Sequence, residues 1–162
     1  MRQRRAIAGA IGVAVLTAAA LRGVMRRFAI VEHSMAPTLE QGDWVVAVRR
    51  TGEVQRGDVV ILPDPTGSGM QLVKRVIGVG GEHLEIAAGR VLIDGALLAD
   101  RWASGATRPP GDWIIPEGHV FLLGDNRGAS ASDSRIVGPV PIEAITWLVK
   151  AIYYPTARAR RL

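Results

Sequence analysis

The sequence predicts a mostly β protein, with an antiparallel β-sheet body preceded by one amino-terminal transmembrane helix. After residue 28 the apolar runs are short, rich in β-branched residues and separated by turn formers, with no helical period. Before that point, residues 6–21 form one uncharged apolar run with arginines on both flanks. We therefore divide the chain into a basic segment with its anchor, 1–27, and a β-rich domain, 28–162.

The amino-terminal run is a short but sufficient candidate for a membrane span. As a helix it extends about 24 Å, so it needs flanking residues to cross a hydrocarbon core of roughly 30 Å. A basic start, an apolar middle and three alanines at 18–20 are also typical of a cleaved secretory signal, and a buried core helix is the third interpretation. We favour an uncleaved anchor. The flanking arginines balance, so the positive-inside rule gives no orientation.

Within the body, several apolar runs have the composition of β-strands. Gly-Asp pairs at 42–43 and 57–58 are typical of the turns that separate such runs. The predicted strands lie at 44–48, 58–62, 72–79, 83–86, 90–94, 119–123 and 145–154. The longest irregular stretches, 63–70 and 99–112, are predicted to be exposed loops.

Charge and composition exclude several classes of function. The chain carries 20 Lys and Arg against 15 Asp and Glu, but the excess comes from arginines at its two ends, and residues 28–157 are acidic on balance. Nucleic-acid binding needs a cationic face on the folded part, so we expect no nucleic-acid partner. The chain has no cysteine, and its three histidines lack metal-ligand spacing, so we also expect no disulfide, metal or cofactor.

Ser34 and Lys74 are the candidate nucleophile and base on residue chemistry alone. Ser34 follows the strand-like run FAIVEH and precedes Pro37, which restricts the backbone of a turn. Lys74 alternates with Leu72 and Val76, so its amine would lie among apolar side chains that lower a lysine pKa toward that of a general base. The alternatives are a solvated turn serine and a lysine that snorkels from an edge strand.

Two further features point to a polar site. Among the 20 basic residues only Lys74 and Lys150 are lysine, whereas arginine, which cannot release its proton in a protein, is used elsewhere. We interpret Lys150, inside an apolar run, as structural. In addition, the segment GDNRGASASDSR at 124–135 crowds Asp, Arg and Ser after an apolar strand. It is either a buried loop with paired charges or an exposed polar loop.

Four ordered segments resemble the type I signal peptidase family, the serine–lysine proteases that remove signal peptides from exported proteins. They are SMAPTL (34–39), RGDVVIL (56–62), LVKRVIGVGGE (72–82) and GDNRGASASDSR (124–135). The resemblance implies a membrane-anchored serine endopeptidase, single-pass, with its catalytic domain on the extracytoplasmic side of the cell membrane. It also implies that the β-rich domain contains a small inserted subregion around 83–117. Its partners would be exported preproteins with A-x-A signal peptides and the lipid bilayer. The alternatives are a peptidase dedicated to one substrate and a catalytically weak relative that binds signal peptides.

The resemblance also implies roles for individual residues. Ser34 would be the nucleophile, Lys74 the general base, and Ser130, or less favourably Ser132, would orient the lysine amine. Four apolar residues would line the substrate pockets: Phe28, Ile30, Leu39 and Val73. Four charged residues would form a structural network: Arg75, Asp125, Asp133 and Arg135. This chain departs from the family pattern by an extra residue in the last segment and by Glu32, two residues before the nucleophile, where many members carry Ser or Gly.

Overall fold

The structure, a computed structural model, describes residues 23–162, and the expected transmembrane helix lies outside them. No helix within this described part has the length and apolar character that a bilayer crossing requires. The part is built mostly of antiparallel strands, which confirms the predicted β class. The strands are β1 (Met25–Ala29), β2 (Trp44–Arg49), β3 (Val59–Pro63), β4 (Gln71–Val79), β5 (His83–Ala87), β6 (Arg90–Ile93), β7 (Ala96–Leu97), β8 (Gly111–Ile114), β9 (His119–Leu123), β10 (Val140–Pro141), β11 (Trp147–Tyr154) and β12 (Arg160–Arg161).

The main sheet contains eight strands in the order β1-β2-β11-β3-β4-β9-β10, with β12 paired to β11. All its pairs are antiparallel. Strand β4 pairs with β3 from Gln71 to Arg75 on one side, whereas its pairing with β9 on the other side begins only at Arg75. Within the described residues, the backbone of 71–74 therefore has one side without a strand partner.

A second, smaller sheet branches from the connection between β4 and β9. Its four strands have the order β7-β6-β5-β8, again antiparallel. Strand β8 is absent from the predicted strands and begins at the last two residues of the predicted loop 99–112, because it pairs with β5, with His83 opposite Ile114. The sheet covers one face of the main sheet through apolar side chains of β5, β6 and β9.

The core follows from alternation along strands that are buried on both faces. In β3, Val59 and Ile61 pack on one side of the main sheet, while Val60 and Leu62 pack on the other. The first of these clusters is covered by the segment after β1, which inserts Met35 and Leu39. Because burying a large aliphatic side chain stabilises a fold by about 1.5–3 kcal/mol, this segment is tied to the sheet by its apolar side chains.

A short helix, Ser134–Val137, follows the polar loop after β9. Its first turn is capped by the Asp133 side chain, which accepts a hydrogen bond from the Arg135 backbone amide. At the opposite edge of the sheet, β1 pairs Met25 through Ala29 with β2. The sheet thus begins within the range 1–27 that the sequence division gave to the anchor segment.

Candidate active site

Ser34 lies in the loop that connects β1 to β2. The loop is closed at its base, where Ile30 N donates to Asp43 O at 2.8 Å and Gly42 N donates to Ile30 O at 2.9 Å. Its interior is packed by Met35 and Leu39, both almost fully buried. The Ser34 side chain is left 8% exposed, at the surface of a cavity. The Ser34 hydroxyl therefore belongs to a backbone that hydrogen bonds fix at the base of the loop and that apolar packing supports from beneath.

Lys74 reaches this hydroxyl from the neighbouring part of the sheet. Its Nζ lies 3.2 Å from Ser34 Oγ, within hydrogen-bond distance. The lysine is 2% exposed, and its strand neighbours on the same face, Leu72 and Val76, are buried. Burial lowers the pKa of the lysine below its usual value, against the opposing attraction of Asp133 and Glu32. A neutral amine at this distance can accept the hydroxyl proton, so the pair has the geometry of a nucleophile and its base.

The polar segment 124–135 is a buried loop with paired charges and not the exposed polar loop that its sequence also allowed. Asp125 accepts two hydrogen bonds from Arg75, at 2.8 and 2.7 Å, and both side chains are nearly inaccessible to solvent. Asp133 accepts from Arg135 at 2.9 and 2.8 Å. The four charged residues thus form two separate ion pairs, each with the two-nitrogen geometry in which arginine binds a carboxylate most specifically.

Ser130 faces the second of these pairs. Its Oγ donates to Asp133 Oδ2 at 2.7 Å, and among the described residues Lys74 Nζ makes its side-chain hydrogen bond to Ser34 alone. Burial alone would raise the pKa of Asp133, but the hydrogen bonds from Arg135 and Ser130 outweigh it and lower that pKa. Ser130 therefore stands beside the carboxylate that attracts the lysine, while Ser132 lines two cavities together with Lys74.

Two cavities meet at Ser34. One, of about 290 Å³, is lined mainly by apolar residues of the β1–β2 connection and by the start of β4, including Ile30 and Val73. The other, of about 390 Å³, lies on the Lys74 side. Of the four residues expected to line substrate pockets, Ile30 and Val73 line the first cavity. Leu39 is completely buried in the core, and Phe28 packs edge-on against Trp147 with ring centroids 5.9 Å apart.

Some residues around the site had no expected role. Met70, 53% exposed, lines both cavities although nothing in the sequence marks it. Glu32, marked in the sequence only as a departure from the family pattern, also lines both cavities. Arg127 is fully buried, and its Nη2 lies 2.6 Å from Oδ2 of Asp100, a residue that follows β7 of the second sheet. The crowding of charges in the segment 124–135 signalled a buried pair there, but not its distant partner.

Gly124 allows the loop to approach the nucleophile. A Cβ atom at this position would lie 2.5 Å from Ser130 Oγ and 2.5 Å from the Ser34 carbonyl oxygen. The Ser34 oxygen also accepts the Asn126 backbone amide at 3.0 Å, so the two backbones are held in contact. Within the described residues, no group of three or more His, Asp or Glu is placed to hold a metal ion.

We expect Gly124→Ala to destabilise the fold by about 1–3 kcal/mol and to lower activity, because the methyl group forces the loop away from Ser34. The matched control is Gly128→Ala in the same loop, where an added Cβ meets nothing within 4 Å. Thermal unfolding and peptide cleavage of both variants measure the difference. Equal effects of the two substitutions would show that the close approach at Gly124 is unimportant.

The chain matches the protein family described as "Signal peptidase, peptidase S26" over residues 4–154. It is similar to "Signal peptidase I T" of Bacillus subtilis (strain 168), 30% identical over 167 residues that cover 94% of this chain and 86% of that protein. It is also similar to "Signal peptidase I" of Bacillus amyloliquefaciens, at 29% identity, covering 89% and 84% of the two chains. A solved signal peptidase I from Enterococcus faecalis V583 superposes with a TM-score of 0.51 at 27% identity, over 59% of this chain and 96% of that one.

Proposed function

Because this chain belongs to the signal peptidase family, peptidase S26, we propose that it cleaves signal peptides from exported preproteins with a Ser34–Lys74 dyad while anchored in the cell membrane. Family membership makes the chain a serine peptidase, a hydrolase of peptide bonds. The observation that carries the proposal is the 3.2 Å contact between Ser34 Oγ and the amine of a buried lysine. Proton transfer between the two groups is the function that best accounts for a buried lysine amine beside a serine hydroxyl.

The dyad works in two steps. In the first, Ser34 Oγ attacks the scissile carbonyl, while neutral Lys74 takes the hydroxyl proton and then delivers it to the leaving amine. The protonated amine, which is the new N-terminus of the mature protein, leaves in this step, and in the second step Lys74 takes a proton from water, whose oxygen attacks the ester carbonyl. The proton then returns to Ser34 Oγ as the signal peptide is released with a new carboxyl terminus. The chemistry needs no metal and no cofactor. Asp133 and Glu32 attract the protonated lysine, so they stabilise the form that exists between the two proton transfers.

The oxyanion of the tetrahedral intermediate forms next to the Ser34 backbone. The Ser34 amide makes no hydrogen bond to another of residues 23–162, so it is free to donate to that oxygen. Glu32 lines the same cavity but only accepts hydrogen bonds when it is ionised. In this chain the backbone amide is accordingly the donor that we assign to the oxyanion.

The unpaired side of residues 71–74 supports a substrate that binds as an added strand. An extended peptide there would hydrogen-bond to β4 and place alternate side chains into the cavity beside Ser34. That cavity is lined by Ile30, Val73 and other apolar residues, which suits the apolar side chains of an A-x-A signal. A charged side chain at the cleavage position would have to leave water for this apolar lining.

We place the anchor in the segment 1–27 and the β-rich domain on the extracytoplasmic side, where exported chains emerge. The support is the uncharged run at 6–21. The start of β1 at Met25 then ties the sheet to the membrane surface by a very short connection. One apolar span is enough to hold the peptidase at the membrane, near its substrates.

The test uses the full chain, solubilised in detergent, with a precursor that carries Ala at −3 and −1. We expect cleavage after the −1 alanine, read from the mass of the released product, and loss of cleavage when that alanine is replaced by Asp, whose charge would be desolvated in the apolar cavity. Precursors from several unrelated proteins should be cleaved. Cleavage of one precursor only would favour the dedicated peptidase, and binding of precursors without turnover would favour the signal-peptide-binding relative.

A further inference from the structure

The segment 34–43, here called the nucleophile segment, is gripped by residues from the other end of the described chain. Arg158 Nε donates to Asp43 Oδ1 at 2.9 Å, and Arg158 Nη2 donates to Asp43 Oδ2 at 3.0 Å. The same guanidinium reaches Glu40 Oε1 at 2.8 Å and the Pro37 carbonyl at 3.3 Å. Arg160 adds a hydrogen bond to the Thr38 carbonyl at 2.7 Å. Two arginines of one short tail thus contact the nucleophile segment at four residues.

Asp43 links these arginine contacts to the backbone conformation of the nucleophile segment. Its side chain is 1% exposed, and Oδ2 also accepts the Glu40 backbone amide at 2.9 Å. Its backbone closes the base of the loop through Ile30 and Glu40. A buried carboxylate that loses its arginine is left with uncompensated charge, so the turn and the arginine depend on each other.

The tail itself is fixed to the middle of the main sheet. Strand β12 pairs with β11, with Ile152 opposite Arg160 and Ala151 opposite Arg161, and Leu162 N donates to Lys150 O at 3.0 Å. Strand β11 is in turn bracketed by β2 and β3. The arginines therefore act from a rigid base and not from a free terminus.

We propose that Arg158 is a positioning residue, which sets the distance between Ser34 and Lys74 by holding the nucleophile segment against the sheet. The segment is held from the other side by the Asn126 amide on the Ser34 carbonyl and by Arg75, which donates to Thr38 Oγ1 at 3.3 Å. The family match ends at residue 154, so the tail that carries Arg158 lies beyond it. This inference rests on the proposed function, because it assigns Arg158 to the service of the Ser34–Lys74 dyad.

Catalysis depends steeply on such a distance. A displacement of about 1 Å in a reacting pair costs on the order of 100-fold in rate. Loss of the tail contacts leaves the apolar side chains of Met35 and Leu39 in the core, so the segment stays folded while its polar side becomes free to shift. The effect should therefore fall on turnover, with little change in the binding of substrate to β4.

The experiment compares Arg158→Ala, Arg158→Lys and the matched control Arg161→Ala in the full chain. Arg161 lies in the same tail, is exposed, and makes no side-chain hydrogen bond within the described residues. The control and Arg158→Ala remove the same charge from neighbouring positions. We measure kcat and KM for precursor cleavage, the folded fraction by near-ultraviolet circular dichroism, and hydrogen exchange of the amides in the nucleophile segment.

We expect Arg158→Ala to lower kcat about 10-fold to 100-fold with KM within about twofold, and to speed exchange at Leu39, Glu40 and Asp43. Arg158→Lys, which keeps the charge without the fork of donors, should recover part of kcat, and Arg161→Ala should match the native chain. An unchanged exchange rate in Arg158→Ala would overturn the inference, as would a kcat loss that equals the unfolded fraction. If the native chain cleaves nothing, the proposed function fails, whereas the exchange measurement still decides the inference.

Discussion

Ser34→Ala is expected to lower kcat/KM for signal-peptide cleavage by about 1,000-fold or more, because the variant has no atom to form the acyl-enzyme. The fold should survive, since the substitution removes one hydroxyl at the edge of a cavity. Cleavage of a precursor with Ala at −3 and −1 measures the effect, and thermal unfolding checks that the protein is folded.

Ser104→Ala is the matched control for this experiment. Ser104 is exposed, and its contacts with the polar loop are made by its backbone, which donates to Asp125 O at 2.7 Å and accepts from Arg127 N at 3.1 Å. Alanine preserves both contacts, so the control should cleave like the native chain. Retention of more than about a tenth of native activity by Ser34→Ala would mean that another group is the nucleophile.

Lys74→Met is expected to have a comparable effect on turnover, again about 1,000-fold or more in kcat. Methionine keeps the length of the side chain and fits an apolar environment, but it cannot accept the Ser34 proton. The control is Lys150→Met, because Lys150 is exposed on β11 and lies outside both cavities at Ser34. If both lysine variants retain activity, Ser34 is activated by a different base.

Lys74→Met should also raise the free energy of unfolding near pH 7, by about 1–3 kcal/mol, because it removes a polar group from the core. Burial lowers the pKa of Lys74 in the folded state, so the unfolded state binds more protons. The destabilisation caused by burying Lys74 is complete below the pKa of the lysine in the folded state. It vanishes as pH rises toward 10.5, the pKa of the lysine in the unfolded state. Denaturant unfolding at several pH values should find the gain of Lys74→Met shrinking as pH rises. A gain that does not depend on pH would contradict a shifted lysine.

The sequence predicted the strands that are buried and β-branched, and missed those defined by their partners. The β-branched composition of the short apolar runs and the turn formers between them placed β2, β3, β4 and β9 to within a residue. By contrast, β1 carries Arg26 and Arg27 at an exposed edge and has no apolar period of its own. Likewise, β8 follows two prolines and exists because β5 pairs with it. Such strands depend on contacts that are distant in sequence.

At the site, residue chemistry and the resemblance both pointed to Ser34 and Lys74, whose contact the structure displays, while their catalytic roles stay predictions. The hydrogen bond of Ser130 with Asp133 could not be read from the sequence, because Ser130 and Ser132 differ only in which way the loop turns. The grip of Arg158 on Asp43 joins residues 115 positions apart. In the sequence that arginine was merely part of a basic end, since no local pattern identifies a partner so far away.

The position of β11 has a consequence for how the protein is made. The hairpin of β1 and β2 carries the nucleophile, and the hairpin of β3 and β4 carries the base, but the two hairpins do not pair with each other; β11 bridges them. A nascent chain therefore exposes both reactive groups long before it contains the strand that brings them together. Synthesis itself therefore delays the contact between Ser34 and Lys74, which forms only when the stretch around residues 147–154 has left the ribosome and entered the sheet.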